Sequence, residues 1–398
     1  MENENAKKKT RSILLIIVIA AIIGIIWYLE RDAAPSNSSI SSTGSNGNSE
    51  NAGLEGGIAS SDVDTSAIDA ESSKYPAAPE LAGIVHWINS EPLKISDLGG
   101  KVVIVDFWTY SCINCIRTLP YLKEWHEKYA DDGLVIIGVH TPEFKFEKEN
   151  ANVENAVKQF GIKYPVAMDN NYATWKAYAN HFWPHKFLID KNGRVRYDHV
   201  GEGGYAETED MIVKLLKEAG KQVEKTESKV EGEGPSIGVI FQTQELYAGY
   251  SFARVDLGNT EGYSPDNVLD YEMPSSILAD RIYFAGKWKN NDDNMQHAET
   301  EDGQVILRYT AKSVHIVASS TNVSEPSLLE AKLNGESLTE KNAGKDVFID
   351  KEDGKSYVRV DQSRLYNVIG TQADYGTFAL ALISKDEKFM IYTYTFGS

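Results

Sequence analysis

A continuous apolar run in this chain passes, within a few residues, into a pattern of helical spacing. The run is KVVIVDFW, residues 101–108, and its many β-branched residues are typical of a strand buried on both faces. Beyond it, apolar side chains recur three and four residues apart, as on one face of a helix. These side chains are Ile116, Leu119, Leu122, Trp125 and Tyr129. A central strand that leads directly into an amphipathic helix favours an α/β fold.

Alternating strand and helix patterns continue to about residue 220. The segment GLVIIGVH, which ends at His140, predicts a second buried strand, and the apolar spacing before Gly161 predicts another helix. The segment HKFLIDKNGRVRYDHV is typical of two strands joined by a turn at Asn192, and a helix over about Ala206–Ala219 follows. Residues 80–220 therefore predict a mixed sheet flanked by helices.

The pattern changes after a charged linker at residues 221–236. From residue 237 to 398, short alternating runs rich in aromatic and β-branched residues are separated by turn sequences such as NNDDN and EDG. Several short strands with hardly any helical period predict an all-β sandwich or jelly-roll domain. Asp292 and Asp293 of the first turn sequence are candidate calcium ligands, with a plain turn as the alternative.

The beginning of the chain predicts a membrane anchor. A basic cytoplasmic segment, residues 1–11, precedes an uncharged apolar run, residues 12–29, that is long enough for a transmembrane helix. A cleaved signal peptide is the alternative. Residues 30–79 are rich in Ser, Gly and Asn and predict a flexible linker. The basic cluster orients the anchor, so we expect both folded domains outside the cytoplasm.

The chain has only two cysteines, Cys112 and Cys115, where the apolar strand gives way to the helix. A structural zinc site requires four ligands, and no second pair is present. A static disulfide is the better alternative, although so small a loop contributes little stability. At a helix N-terminus, backbone N–H groups and the helix dipole favour a thiolate. Cys112 is therefore the predicted attacking nucleophile, and Cys115 the predicted resolving thiol.

The stretch VDFWTYSCINC, with Pro120 eight residues after the first cysteine, resembles the active site of thioredoxin-like proteins. The resemblance is to the membrane-tethered TlpA-like and DipZ-like branches. It implies a thioredoxin-like fold for residues 80–220. It also implies that Asp106 is a buried carboxylate that exchanges a proton with the resolving thiol.

The same resemblance assigns three further residues. It implies that Pro184 is a cis-proline beside the cysteines and that the backbone of Trp183 pairs with substrate. Trp108 is expected to pack against the site and contact substrate, with a plain core role as the alternative. The loop around His140 and Glu143 resembles the DipZ-like branch, which implies substrate contact there; a solvated loop is the alternative.

The C-terminal half, residues 237–398, resembles the β-sandwich of carbohydrate-binding-module type that follows the thioredoxin-like unit in DipZ-like proteins. Those proteins usually begin with a multi-spanning electron-transfer domain. This chain has a single predicted span, so the resemblance implies a separate membrane protein as electron donor. The span itself would contact membrane lipid.

These observations predict a single-pass, outward-facing thiol-disulfide oxidoreductase. It would exchange the Cys112–Cys115 pair with thiols and disulfides of exported proteins, as a reductant, with no metal and no cofactor beyond that redox-active disulfide. The alternative is a surface protein that binds carbohydrate or protein through its β-sandwich, with an inert Cys112–Cys115 disulfide. A net charge of −18 argues against a nucleic-acid partner.

Overall fold

The computed structural model describes residues 65–230, 241–320 and 325–397. The anchor predicted for residues 12–29, and the predicted linker as far as residue 64, lie outside these ranges. Within the described ranges, no helix combines the length and apolar character that crossing a membrane requires.

The first domain is a sheet covered by helices, as the sequence predicts. In its described part, six strands lie in the order β1-β4-β3-β2-β5-β6. The strands are β1 (His86–Ile88), β2 (Val102–Trp108), β3 (Leu134–His140), β4 (Val166–Met168), β5 (His185–Ile189) and β6 (Val195–Val200). The helices are α1 (Thr65–Ser72), α2 (Ile113–Tyr129), α3 (Asn150–Phe160), α4 (Ala173–Ala177) and α5 (Tyr205–Glu218), with 3-10 turns at Ile95–Leu98 and Lys145–Lys148. Strands β2, β3 and β4 are parallel, and β5 is antiparallel to both β2 and β6.

Strand β2 is central, and all seven of its side chains are buried. Its odd-numbered side chains, such as Phe107, pack into one hydrophobic cluster, and Ile104 and Trp108 pack into another on the opposite face. Successive side chains of a strand point to opposite faces, so Asp106 shares the face of Ile104 and Trp108. That face also holds Cys115. The strand therefore places a carboxyl group in the same core layer as the dithiol.

Helix α2 begins directly after Cys112, which is its N-cap residue. The predicted apolar face is the buried one, since Leu119, Leu122, Trp125 and Tyr129 are all buried. Pro120 lies inside the helix, as expected.

The last part of the predicted flexible linker belongs to the first domain. Residues 65–79 form α1 and an extended segment that packs on the first domain, so the linker prediction is wrong for them. The hydroxyl of Ser72 donates a hydrogen bond to Asp190 at 2.6 Å, and Asp69 forms an ion pair with Lys191 at 3.0 Å. Polar residues that show no pattern in the sequence form specific hydrogen bonds and ion pairs with the first domain. Part of the charged linker packs as well, because the Ser228 hydroxyl donates to Glu124 at 2.6 Å.

The second domain is an all-β structure, which confirms that prediction. Between residues 241 and 397, the described residues form thirteen strands joined in one hydrogen-bonded sheet. They are β7 (Leu246–Tyr247), β8 (Val268–Tyr271), β9 (Ile282–Asn290), β10 (Met295–His297), β11 (Gly303–Ala311), β12 (Ser313–Ser320), β13 (Ser327–Leu333), β14 (Glu336–Ser337), β15 (Val347–Ile349), β16 (Ser356–Val360), β17 (Arg364–Ile369), β18 (Gly376–Ser384) and β19 (Phe389–Gly397).

Strand β9 joins the two halves of this sheet. Its first four residues pair with β11, and its later residues pair with β8 and β10. The change of partner falls at Gly286, whose φ of 81° favours glycine. Side chains from both halves, such as Leu307 and Ile316, join one hydrophobic core. The sheet therefore encloses its own core.

The two domains pack on each other through an aromatic cluster. Phe144 and Phe146 of the first domain contact Tyr392 of the second, with ring centroids 5.1 Å and 4.8 Å apart. Nearby, the backbone N–H of Lys145 donates to Asp293 at 3.1 Å, and its side chain forms an ion pair with Asp292. Asp292 and Asp293, the candidate calcium ligands, thus form polar contacts between the domains.

Replacing Phe144 with Ala should destabilise the protein. This side chain is 1% exposed and lies between the domains, so its removal leaves a cavity, and the expected cost is about 3–5 kcal/mol. Denaturant unfolding of the full-length protein measures the change. Phe348→Ala, at a side chain that is 43% exposed, is the control and should cost far less. Equal losses for the two variants would contradict this account of the domain contact.

Candidate active site

The dithiol lies at the N-terminus of α2, with one sulfur accessible and the other buried. Cys112 is half-buried, Cys115 is 1% exposed, and both are free thiols. The Cys112 Sγ accepts a hydrogen bond from the backbone N–H of Cys115, at an N–S distance of 3.4 Å. An N–H group of the first helical turn therefore points at the sulfur that a substrate can reach.

The second thiol is held in its neutral form. Burial raises the pKa of the Cys115 thiol well above its ordinary value, and the neighbouring Cys112 and Asp106 raise it further. A thiol in this state is a poor nucleophile until a base removes its proton.

Asp106 is placed to be that base. Its side chain is 1% exposed, and neither carboxyl oxygen has a hydrogen-bond partner among the described residues. Burial raises the pKa of Asp106 to about 7, while the positive charge of Lys186 opposes the shift. The alternative of a solvated aspartate at a strand edge does not fit this burial. Asp106 can hold or release a proton near neutral pH.

Lys186 is a site residue that the sequence analysis missed. It lies directly opposite Asp106 in the β2–β5 ladder and is fully buried. Its ammonium group donates a hydrogen bond to the Gly201 carbonyl at 3.2 Å. Burial lowers the pKa of Lys186, and the nearby Asp106 and Cys115 oppose that shift. The sequence feature that could identify it is a lysine within the apolar strand HKFLI, two residues after Pro184.

The Trp183–Pro184 peptide bond is cis, as the resemblance implies. The Trp183 indole N–H donates to the Thr141 carbonyl at 3.1 Å, and its ring lies 4.3 Å from that of Trp175. Trp183 lines the same cavity as Cys112. The structure therefore brings the predicted substrate-pairing residue together with the accessible thiol.

Trp108 and His140 pack behind the site. Both are fully buried, and their rings meet edge to face at 5.3 Å. The prediction of a substrate contact for Trp108 is corrected, because a side chain closed within the core cannot reach a substrate. Burial also lowers the pKa of His140 to about 3, so this imidazole is neutral at physiological pH.

The accessible face of Cys112 opens into a cavity of about 340 Å³ that both domains line. The first domain contributes Trp183 and Glu143, and the second contributes Glu245, Tyr247 and Arg254. Glu143, the other predicted contact residue of the loop after β3, thus lies at the site. Sequence reasoning missed the residues of the second domain, and no local motif marks them.

Comparison with known proteins agrees with this geometry. Residues 88–212 match the family described as Redoxin, and residues 243–397 match the family described as Thioredoxin like C-terminal domain. The thiol-disulfide oxidoreductase ResA of Bacillus thuringiensis is 32% identical over 132 residues, which cover 33% of this chain and 73% of ResA. The chain belongs to the thioredoxin-like thiol-disulfide oxidoreductases.

Two further relatives show how far the likeness extends. The thiol-disulfide oxidoreductase YkuV of Bacillus subtilis is 28% identical over 140 residues, covering 35% of this chain and 94% of YkuV. Protein DipZ of Mycobacterium bovis is 38% identical over 247 residues, covering 61% of this chain. That alignment takes in 35% of DipZ, so the chain spans about a third of this relative.

Asp106→Asn should stabilise the protein at high pH and lose this advantage in acid. The folded state raises the pKa of Asp106 to about 7, so ionisation of the buried group opposes folding. The free energy by which this ionisation opposes folding is zero below the pKa of an unfolded aspartate, about 3.9, and grows as the pH rises. Above about pH 7 it reaches its full value of about 4 kcal/mol. Denaturant unfolding of both proteins at about pH 4 and pH 8 measures it. A stability difference that is the same at the two pH values would contradict the assignment.

Proposed function

We propose that this protein is a membrane-tethered, extracytoplasmic thiol-disulfide oxidoreductase that reduces disulfides of exported proteins. The observation that carries the proposal is the pairing of an accessible thiol at the N-terminus of α2 with a buried thiol and a buried carboxyl group. The three groups are Cys112, Cys115 and Asp106. Membership of the family supports the chemistry.

The reaction begins at the accessible sulfur. The Cys112 thiolate attacks one sulfur of a substrate disulfide, a mixed disulfide forms, and the other substrate sulfur leaves with the electron pair. The N–H of Cys115 stabilises negative charge on the attacking sulfur before this step. Trp183 lines the cavity in which the substrate segment then lies.

The buried groups complete the exchange. The Asp106 carboxylate takes the proton of the Cys115 thiol, and the new thiolate attacks the Cys112 Sγ. The Cys112–Cys115 disulfide forms, and the second substrate sulfur is released. The substrate gains two electrons, and the protein loses two. Lys186, the cross-strand partner of Asp106, favours its ionised form and so keeps a carboxylate available to accept a proton near neutral pH.

The raised pKa of Cys115 supports the reductive direction. Oxidation of a substrate would require Cys115 to leave as a thiolate when a substrate thiol attacks Cys112. A thiol of high pKa leaves slowly, whereas the same thiol is a strong nucleophile once deprotonated. The dithiol must then be restored by an electron donor, which we propose to be a separate membrane protein that carries a dithiol.

The proposed location depends on the sequence. An apolar run over residues 12–29 after a basic segment supports an anchor in membrane lipid with both domains outside the cytoplasm. The alternative function, binding of carbohydrate or protein through the second domain with an inert disulfide, fits the site less well. A purely structural bridge has no need of a half-exposed sulfur that opens into a cavity.

Cys115→Ala should trap substrates on the protein. Without the resolving thiol, the mixed disulfide on Cys112 cannot be released by internal attack, so covalent partners accumulate. Non-reducing gels and mass spectrometry of the full-length protein, expressed in its host, detect these adducts. Cys112→Ala is the matched control and should trap none. If Cys115→Ala traps no partner, or if both variants trap equally, the proposed function is wrong.

A further inference from the structure

Two carboxyl groups, one from each domain, share a tyrosine hydroxyl beside the dithiol. Glu143 belongs to the loop after β3, and Tyr247 lies in β7, with Glu245 just before that strand. The Tyr247 oxygen lies 2.6 Å from Glu143 Oε1 and 2.8 Å from Glu245 Oε2. Both distances are those of hydrogen bonds.

This arrangement requires a proton on one of the carboxyl groups. The tyrosine hydroxyl has one proton and can donate it to only one of its two partners. The second short contact is a hydrogen bond only if that carboxyl is protonated and donates to the tyrosine oxygen. Geometry alone therefore indicates that the pair of Glu143 and Glu245 carries a proton.

The surroundings favour the same conclusion. Burial raises the pKa of both Glu143 and Glu245, and the charge of Glu245 raises the pKa of Glu143 further. Glu147 adds further negative charge beside Glu143, and Arg254 is the positive group that opposes the shifts. The Thr395 hydroxyl donates a hydrogen bond to Glu245 at 3.3 Å.

The position of the carboxyl pair indicates a role for its proton. Glu143, Glu245 and Tyr247 all line the 340 Å³ cavity into which Cys112 opens. A substrate disulfide that reaches Cys112 lies in this cavity, because the accessible sulfur is part of the cavity lining. The departing substrate sulfur therefore leaves into a space whose wall holds a carboxylic acid.

We propose that the Glu143–Glu245 pair donates its proton to the substrate sulfur that leaves when Cys112 attacks. This inference rests on the proposed function. The bond between Cys112 Sγ and one substrate sulfur forms, the substrate disulfide breaks, and its electron pair goes to the leaving sulfur. The proton moves from the carboxyl pair to that sulfur, which leaves as a neutral thiol. Solvent water then returns a proton to the pair.

The proposal gives the second domain a part in catalysis. A cysteine thiol of ordinary pKa, about 8.5, is a slow leaving group unless it is protonated as it departs. Asp106 lies behind the dithiol and serves Cys115, whereas the carboxyl pair lies on the substrate side of Cys112. The two proton sites therefore act in different steps.

The test compares two leaving groups. Pre-reduced full-length protein in detergent micelles is mixed with oxidised glutathione, or with an aromatic disulfide, 5,5′-dithiobis(2-nitrobenzoate), whose thiolate leaves readily without a proton. Stopped-flow measurements give the rate of the first exchange. Glu245→Gln should slow the reaction with oxidised glutathione by about 10-fold or more, and change the rate with the aromatic disulfide less than about 2-fold.

Two more variants complete the design. Tyr247→Phe removes the shared hydroxyl and should produce the same selective loss, so the test does not depend on one substitution. Glu154→Gln, at an exposed glutamate of α3 that pairs with His86, is the matched control and should change neither rate. General acid catalysis predicts a loss of rate that depends on the leaving group. Damage to the fold or to Cys112 would instead slow the reactions with both disulfides alike.

The outcomes separate this inference from the proposed function. Unchanged rates in both Glu245→Gln and Tyr247→Phe, or equal losses with the two disulfides, would overturn the proton-donor role while leaving the oxidoreductase intact. If wild-type protein and Cys112→Ala react equally slowly with both disulfides, the proposed function itself fails.

Discussion

A carboxyl group buried without a hydrogen-bond partner among the described residues is the constraint on which the site depends. Asp106 lies within the central strand β2, in the core layer that also holds Cys115. Burial of such a group opposes folding, and the surrounding core must compensate for it. The packed faces of β2 and the buried side of α2 supply that compensation, and Lys186, opposite Asp106 in the ladder, supplies a positive charge. The fold thereby keeps a proton acceptor beside a thiol that must lose its proton.

The second domain completes the site from the other side. The short segment after β3 contacts it through Phe144 and Phe146, and the same segment places Glu143 in the cavity of Cys112. The domain contact therefore also positions the site, because the residues that hold the domains together are neighbours of those that line the cavity. In the proposed mechanism, Cys112 acts between a proton acceptor in the core and a carboxyl pair at the domain boundary.

Strong local patterns predict the framework of this protein, and long-range pairings decide the rest. The apolar run of β2, the helical face of α2 and the strand SYVRV of β16 are recognisable because each carries its own periodicity. Strands β1 and β4 have three residues each, too few for a periodic signal. Tyr247 and Glu143 are 104 residues apart, so only the folded chain brings them together. The resemblance implies a substrate contact for Trp108, although its apolar strand favours a core position.

The most direct test of this account is a titration of the Asp106 carboxyl group by ¹³C nuclear magnetic resonance in the reduced, full-length protein. The account predicts a transition near pH 7 that is absent from Asp106→Asn. A transition near pH 4, the ordinary value for an aspartate, would contradict it, because the carboxylate would then be too weak a base to take the proton of Cys115 at neutral pH.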